Sequence, residues 1–468
     1  MIVVHATRPR QQVVDLPLLT TRGERSTHEV EVVTGPDGAL LARLSLAPPL
    51  LVAQTLRQQE RAVRPGPVRD PDRFARAAEL FADDVLGGLS PAEHVHLVGE
   101  ASGHGPAVTR RLTEAVVRQV AEAPARVDRG RPHGAVPDAR AGSAAPERAS
   151  GVWVRRGRTL GAVLSGNSPA AHNGWLQALA LGYAVTVRPS RREPFTASRL
   201  VHALRAAGFG PDEVTYLPTS QAVAAEVLRR ADLGLTYGGA DVAAAYAGDP
   251  SVLVGGPGRS KTLVREGYRS PAVVTAVADA VADSSGSACV NTTGLLVEDP
   301  GTGATASFAA ALRHELAQRH DTALAAGDHL GPRVTAETAR AWAAGVERLG
   351  GPPRALEPHP DGGYVVAPVV LEVEPGSDAL GTELPFPFVA LAPWTEGEGV
   401  APLRDSLVVT AYTAPDDPLL DALLDEPSVR NVHHAVPTTH SDGFVPHEDY
   451  LGRFLMSSKA FVTAGGQQ

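Results

Sequence analysis

Between Thr159 and Gly255 the chain repeats one pattern: a short apolar run, then a longer stretch with apolar positions three and four apart, then a turn. The runs fall at 160–164, 184–188, 213–217, 233–236 and 251–254. Runs this short, bounded by turn residues, read as strands buried on both faces. One intervening helix carries Leu176, Leu179 and Ala180 before Gly182, and another carries Leu200, Val201 and Leu204 before Gly208. In both, a glycine stands where a helix stops. Strand and helix alternating in this way predict right-handed crossovers and a parallel, doubly wound α/β sheet. A second α/β region is expected from about 255 to 440, and Lys459 to Thr463 as a returning edge strand.

Upstream, residues 29–46 hold two alternating apolar runs around Gly35-Pro36-Asp37-Gly38, which predicts a two-stranded hairpin. Residues 70–122 have helical spacing, as at Phe74, Ala77, Leu80 and Phe81, while 123–150 lack periodicity and read as an exposed loop. A chain of 468 residues exceeds one ordinary domain, and its 43% hydrophobic and 20% charged residues suit a folded globular protein. The net charge of -9 comes without a basic face, which argues against nucleic acid as a partner. The single cysteine, Cys289, excludes an internal disulfide framework, and no Cys/His spacing suits a structural metal site. No export signal is visible and no apolar run reaches the roughly 18 residues of a membrane span. A cytoplasmic location is expected.

The dinucleotide fingerprint G-x-G-x-x-G has no good copy, because Gly103-His-Gly105 lacks a third glycine and a preceding strand. Other elements occur instead: Gly166-Asn167-Ser168-Pro169, Ala184-Val-Thr-Val-Arg188-Pro189-Ser190, Pro194-Phe-Thr-Ala197, Gly208, Tyr237-Gly238-Gly239, Val254-Gly255-Gly256, Cys289 and Glu383-Leu-Pro-Phe386-Pro387. In order and spacing these resemble the aldehyde dehydrogenase superfamily over roughly 29–463. The resemblance implies a Rossmann-type cofactor domain in 1–252, an α/β catalytic domain in 253–440 and a tail in 441–468 returning to the cofactor or oligomerisation region. It also implies a homodimer or homotetramer.

Cys289 follows a polar stretch and precedes an expected strand, 294–297, unlike an inert cysteine among apolar neighbours. By resemblance it is the nucleophile that attacks a carbonyl or thioester carbon. Asn167 on its own reads as a turn former or helix cap; the resemblance makes its amide, with the Cys289 N–H, the oxyanion hole. Arg188 and Arg191 stand where the family places a lysine and, often, a glutamate against the adenosine ribose. Two exposed arginines are ordinarily a solvated face, but Arg191 or Arg192 could grip a 2′-phosphate, so NADPH is the expected cofactor and NADH the alternative. Ser190, Gly238 and Gly239 would let backbone approach the pyrophosphate. The resemblance implies that Glu383 holds the nicotinamide ribose and that Phe386 lies near the ring.

One departure shapes the functional expectation. Where hydrolytic members carry a water-activating glutamate, this chain has Leu253, 36 residues before Cys289 (289 − 253). Reduction of an acyl thioester needs no activated water. The expected activity is therefore that of the acyl-CoA reductase branch, which includes the fatty-acid reductase of bacterial luminescence: an acyl group on coenzyme A or acyl carrier protein passes to Cys289 and leaves as aldehyde. The alternatives are a hydrolytic enzyme with a replacement base such as His172 or Glu383, and a catalytically silent subunit that binds a carrier protein. His172 is expected in the substrate tunnel. His433, His434, His440 and His447 read as solvated or pocket-lining residues, and the Asn291-Thr-Thr293 sequon lacks a secretory context.

Overall fold

The computed structural model describes residues 13–63, 70–137, 150–167, 170–354 and 356–462. Strands β1 (Val14–Leu16), β4 (Val30–Thr34) and β5 (Leu40–Ser45) form a sheet of order β1-β5-β4, with β4 and β5 antiparallel about the expected turn. The expected hairpin thus gains a third strand, parallel to β5 and too short for a visible pattern. Helices α1 (Pro49–Ala62), α2 (Pro71–Asp83), α3 (Pro91–Ser102) and α4 (Pro106–Arg126) each open on proline, whose missing N–H costs nothing in a first turn. Asp70 caps α2, and Ser90 with Glu93 forms a capping box on α3. The helical stretch therefore runs four residues past 122. Beyond it lie a 3-10 turn at Val127–Gly130 and β6 (Ala135–Val136); the rest of the expected loop, 138–149, is outside the described residues.

The alternating region folds as its pattern requires. Strands β8 (Thr159–Val163), β9 (Ala184–Arg188), β10 (Val214–Tyr216), β11 (Leu233–Tyr237) and β12 (Val252–Gly255) pair in parallel, in the order β12-β11-β8-β9-β10. Strands β2 (Leu18–Thr20) and β3 (Gly23–Arg25) extend the β10 side antiparallel, giving seven strands. The crossovers are α5 (Ala170–Ala180), α6 (Phe195–Ala206), α7 (Gln221–Arg230) and α8 (Ala240–Tyr246). Trp175, Leu176 and Leu179 of α5 and Leu200, Val201 and Leu204 of α6 are buried, which is what their spacing predicts.

A second, wholly parallel sheet has the order β17-β18-β14-β13-β19-β20. Its strands are β13 (Lys261–Val264), β14 (Gly294–Glu298), β17 (Val369–Glu372), β18 (Phe388–Trp394), β19 (Ser406–Tyr412) and β20 (Val429–His434), flanked by α9 (Pro271–Ala282), α10 (Ala304–Ala325), α11 (Ala336–Arg348) and α12 (Pro418–Asp425). Between α11 and β17 lies a two-stranded ladder, β15 (Glu357–Pro358) with β16 (Tyr364–Val365). After α13 (Leu451–Leu455), β21 (Met456–Phe461) returns to pair antiparallel with β7 (Ser150–Arg155) at the edge of a β21-β7-β6 sheet. The returning edge strand is therefore present.

Two features of this arrangement position a site. In the first sheet the chain leaves β8 towards β9 on one side and comes back to β11 on the other, so the crevice beyond the carboxyl ends of β8 and β11 is a topological switch point, where open α/β sheets bind ligands. In the second sheet, Gly258, Cys289 and Glu383 all precede strands, β13, β14 and β18 respectively. They gather at its amino-terminal edge, opposite that crevice.

Candidate active site

A cavity of about 810 Å³ fills the space between the two sheets, lined by Asn167, Gly238, Gly239, Leu253, Cys289 and Glu383 among others. Cys289 is half-buried. Its loop is locked in place: the Ser260 hydroxyl donates to the Cys289 carbonyl at 2.9 Å. A Cβ on Gly258 would lie 2.0 Å from the same oxygen, so only glycine lets the two backbones approach this closely.

The nearest polar neighbour of the thiol comes from the far end of the chain. Nε2 of His447 lies 3.5 Å from Cys289 Sγ, and its Nδ1 is 2.7 Å from Glu448 Oε2. The other Glu448 oxygen accepts from Gly256 N at 3.2 Å, in the turn just after β12. Asn431 of β20 donates to the carbonyls of Leu407 and His447, which fastens the loop to the sheet. Burial alone would lower the imidazole's affinity for its proton, but the hydrogen bonds to Cys289 and Glu448 and the Glu448 charge outweigh it and hold His447 well above 6.5. Burial pushes the Glu448 carboxyl up and the His447 contacts push it further down, so it lies below its usual value. Thiol, imidazole and carboxylate thus form the linear arrangement that activates a nucleophile. The Tyr237 hydroxyl faces the same charges: burial first, then Glu448 and Cys289, raise it.

Asn167 stands beyond the end of β8, and its Nδ2 donates to Ser287 O at 2.9 Å while Ser287 Oγ donates back to Asn167 O at 3.3 Å. The Asn167 turn and the Cys289 loop are thereby joined; a side-chain amide has a second N–H to offer. Ser168 and Pro169 of the same motif are outside the described residues. Glu383 lines the cavity with Oε2 accepting from Gly258 N at 3.2 Å, and burial pushes its carboxyl up. Gly238 and Gly239 line the cavity, and Gly239 opens α8 without a side-chain cap. Ser190 Oγ accepts from Arg192 N at 3.1 Å.

Several expected residues are placed differently. Phe386 lies outside the cavity: it is 1% exposed and stacks on Trp342 with centroids 5.7 Å apart, because the chain bends after Glu383, Leu384 and Pro385, which line the cavity, and with Phe386 N donating to Leu384 O at 2.9 Å the ring turns into the core. Its expected place beside the nicotinamide ring is corrected accordingly. Arg188 is buried and braced against Thr219 O at 3.2 Å and Gln221 Oε1 at 3.3 Å. Arg191 is ion-paired to Glu31 at 2.8 Å, and Arg192 reaches back to the Ser102 carbonyl. His172 lies outside the large cavity; its Nδ1 accepts from Trp175 Nε1 at 3.2 Å and burial lowers it to about 3, so it is no base for the thioester. Among the described residues no group of His, Cys, Asp and Glu could hold a metal ion, and no helix is long and apolar enough to cross a membrane.

The sequence model of the aldehyde dehydrogenase family matches residues 159–401, more than half of the chain. The chain belongs to this family. No curated protein matches it by sequence. Solved structures share its fold at low identity. One is a 1-pyrroline-5-carboxylate dehydrogenase of Thermus thermophilus, 16% identical, with a TM-score of 0.76 over 96% of this chain and 93% of that one. An aldehyde dehydrogenase of Pseudomonas aeruginosa and an indole-3-acetaldehyde dehydrogenase bound to NAD+ are each 16% identical, with TM-scores of 0.78 over 96% of this chain and 97% of theirs. The stretch that includes His447 and Glu448 lies beyond the matched residues; His447 lines the cavity, one of the two places the sequence allowed it, but its link to Cys289 and Glu448 was missed. The adjacency of a histidine and a carboxylate was the only available signal.

Proposed function

We propose that the protein oxidises an aldehyde through an acyl-Cys289 thioester and hydrolyses that thioester with His447 as the base. The observation that carries this reading is the position of the His447 and Glu448 pair: Glu448 accepts from Gly256 N, three residues past Leu253, so another segment brings a base into the corner from which the family's glutamate is missing. The absence of a carboxylate at 253 therefore no longer decides for thioester reduction.

The residues fit a nicotinamide dinucleotide. The crevice lies at the switch point, Gly239 has open space where a side chain would project, and Glu383 faces the cavity. Gly238 and Gly239 would hold the pyrophosphate, Ser190 would stand beside them, and Glu383 would hold a ribose. When bound, the cofactor accepts the hydride.

The chain's own groups do the rest. Sγ attacks the aldehyde carbon while the thiol proton resides on His447 Nε2, and the carbonyl oxygen turns towards the Asn167 amide. Once sulfur is tied up as a thioester, one of the two anions that hold the His447 proton is gone, and the proton escapes to solvent. The neutral imidazole then takes a proton from water as its oxygen adds to the acyl carbon. The C–S bond breaks, the acid leaves, and the thiolate again faces an imidazolium. An intact nucleophile with such a base speaks against a catalytically silent subunit.

Leu253 itself favours a second reading, acyl-thioester reduction on coenzyme A or an acyl carrier protein, in which the His447 imidazolium would protonate the departing thiolate. One experiment separates the two. Aldehyde with NAD+ or NADP+ and no added thiol should give sustained acid formation. A single burst per active site, with turnover restored only by thiol, would overturn hydrolysis in favour of the reductase reading.

A further inference from the structure

His104 lies in the short loop between α3 and α4, flanked by two glycines that nothing in the proposed reaction uses. A Cβ on Gly103 would be 2.0 Å from Arg333 O and one on Gly105 1.9 Å from Asp328 Oδ1, so this loop is pressed against the second α/β region. Arg333 N donates to Gly103 O at 2.7 Å, and the Arg333 guanidinium pairs with Glu100 at 2.6 Å. The histidine is 7% exposed and does not line the large cavity. Its Nδ1 is 3.1 Å from Ser285 Oγ, and the same ring is hydrogen-bonded to the Asn167 backbone.

Ser284 and Ser285 have φ of 50° and 57°, left-handed values that L side chains rarely adopt without external support. They begin the descent to Cys289. We propose that His104 is a positioning residue, tying the Asn167 turn to the strained Ser284 and Ser285 turn and so fixing the spacing of the two donors of the oxyanion hole. Burial, with Arg192 nearby, lowers the imidazole to about 3 and keeps it neutral. A neutral ring has one N–H and one lone pair. The N–H serves the Asn167 carbonyl, and the lone pair accepts from the Ser285 hydroxyl. Because oxyanion stabilisation depends on donors held in place before reaction, loosening this tie should slow chemistry and spare binding.

The inference rests on the reading of Asn167 and Cys289 as the oxyanion hole, and the experiment keeps the two apart. His104→Ala should lower kcat about 10- to 100-fold, on the scale of losing part of one donor, with KM and cofactor Kd within about twofold. Ser285→Ala should lower kcat by about tenfold, and the double variant should be no slower than His104→Ala alone, since both cut one tie. His104→Gln, whose amide can donate and accept, should recover part of the rate. If His104→Ala does not fold, Ser285→Ala and His104→Gln decide the matter. Near-wild-type kcat in Ser285→Ala, or losses that multiply in the double variant, would overturn the proposal. If Asn167→Ala is slow while these variants are fast, the hole stands and the clamp falls. If Asn167→Ala is itself fast, both fall.

Discussion

The Nε2 of His447 stands 3.5 Å from the Sγ of Cys289, although the two residues are 158 positions apart in the chain. Replacing His447 by glutamine keeps a polar group of similar reach but removes the base. Steady acid formation should fall by about 10²- to 10⁴-fold, the usual cost of losing a general base. Cofactor affinity should be unchanged. Cys289→Ser should be inactive altogether, because a hydroxyl lacks thiolate nucleophilicity. These outcomes are read by stopped-flow absorbance of the reduced cofactor and by product analysis. Undiminished turnover in the glutamine variant would remove His447 from the mechanism.

Leu253 lines the cavity from β12, and β12 leads directly into the turn that Glu448 touches. A carboxylate at 253 should therefore reach the acyl-enzyme. In the His447→Gln background, Leu253→Glu should restore hydrolysis by at least about tenfold, part of what a general base supplies. The ratio of steady rate to burst rate measures it. No gain in a folded double variant would mean that position 253 does not face the thioester.

The parallel core was legible because burial on both faces leaves continuous apolar runs, and glycines mark where α5 and α6 stop. That Cys289 and Asn167 line one cavity was legible because each sits at an element boundary in a motif whose order and spacing resemble the family's. The contact of His447 with Cys289 was not, since a loop has no periodicity and the two residues are 158 positions apart. Phe386 was misplaced for a local reason: the chain bends at 385–387, with Phe386 N bonded back to Leu384 O, and this bend, which a sequence motif cannot reveal, turns the ring from cavity to core.

The dyad also predicts a pH window for stability. His447 is raised above 6.5, so its contribution is complete below 6.5 and is lost as pH climbs through its higher folded value. Glu448 is depressed below 4.5, so its contribution is present above 4.5 and is lost as pH falls through its lower folded value. Both are fully present between 4.5 and 6.5. The Tm deficit of Glu448→Gln relative to wild type should be largest in that interval and shrink towards alkaline pH. Thermal melts across the range test this, and a deficit that grew with alkalinity would contradict the assignment of the proton to His447.

Cofactor choice turns on Arg191, which is half exposed and tied to Glu31 at 2.8 Å. An exposed pair of this kind is worth about 0–1 kcal/mol, so a doubly charged 2′-phosphate can compete for the guanidinium but must displace the carboxylate. Arg192 lines the large cavity and spends one N–H on the Ser102 carbonyl, so its remaining donors could give the phosphate a second contact. Removing the competing charge with Glu31→Gln should tighten NADPH binding by up to about fivefold, the most that such a pair withholds, and leave NADH nearly unchanged. Arg191→Glu should act in the opposite sense, repelling the 2′-phosphate while its carboxylate accepts ribose hydroxyls, and so move the preference towards NADH. Fluorescence titration of each variant with both reduced cofactors gives the two ratios directly. An NADPH Kd that neither substitution moves would show that Arg191 does not meet the phosphate.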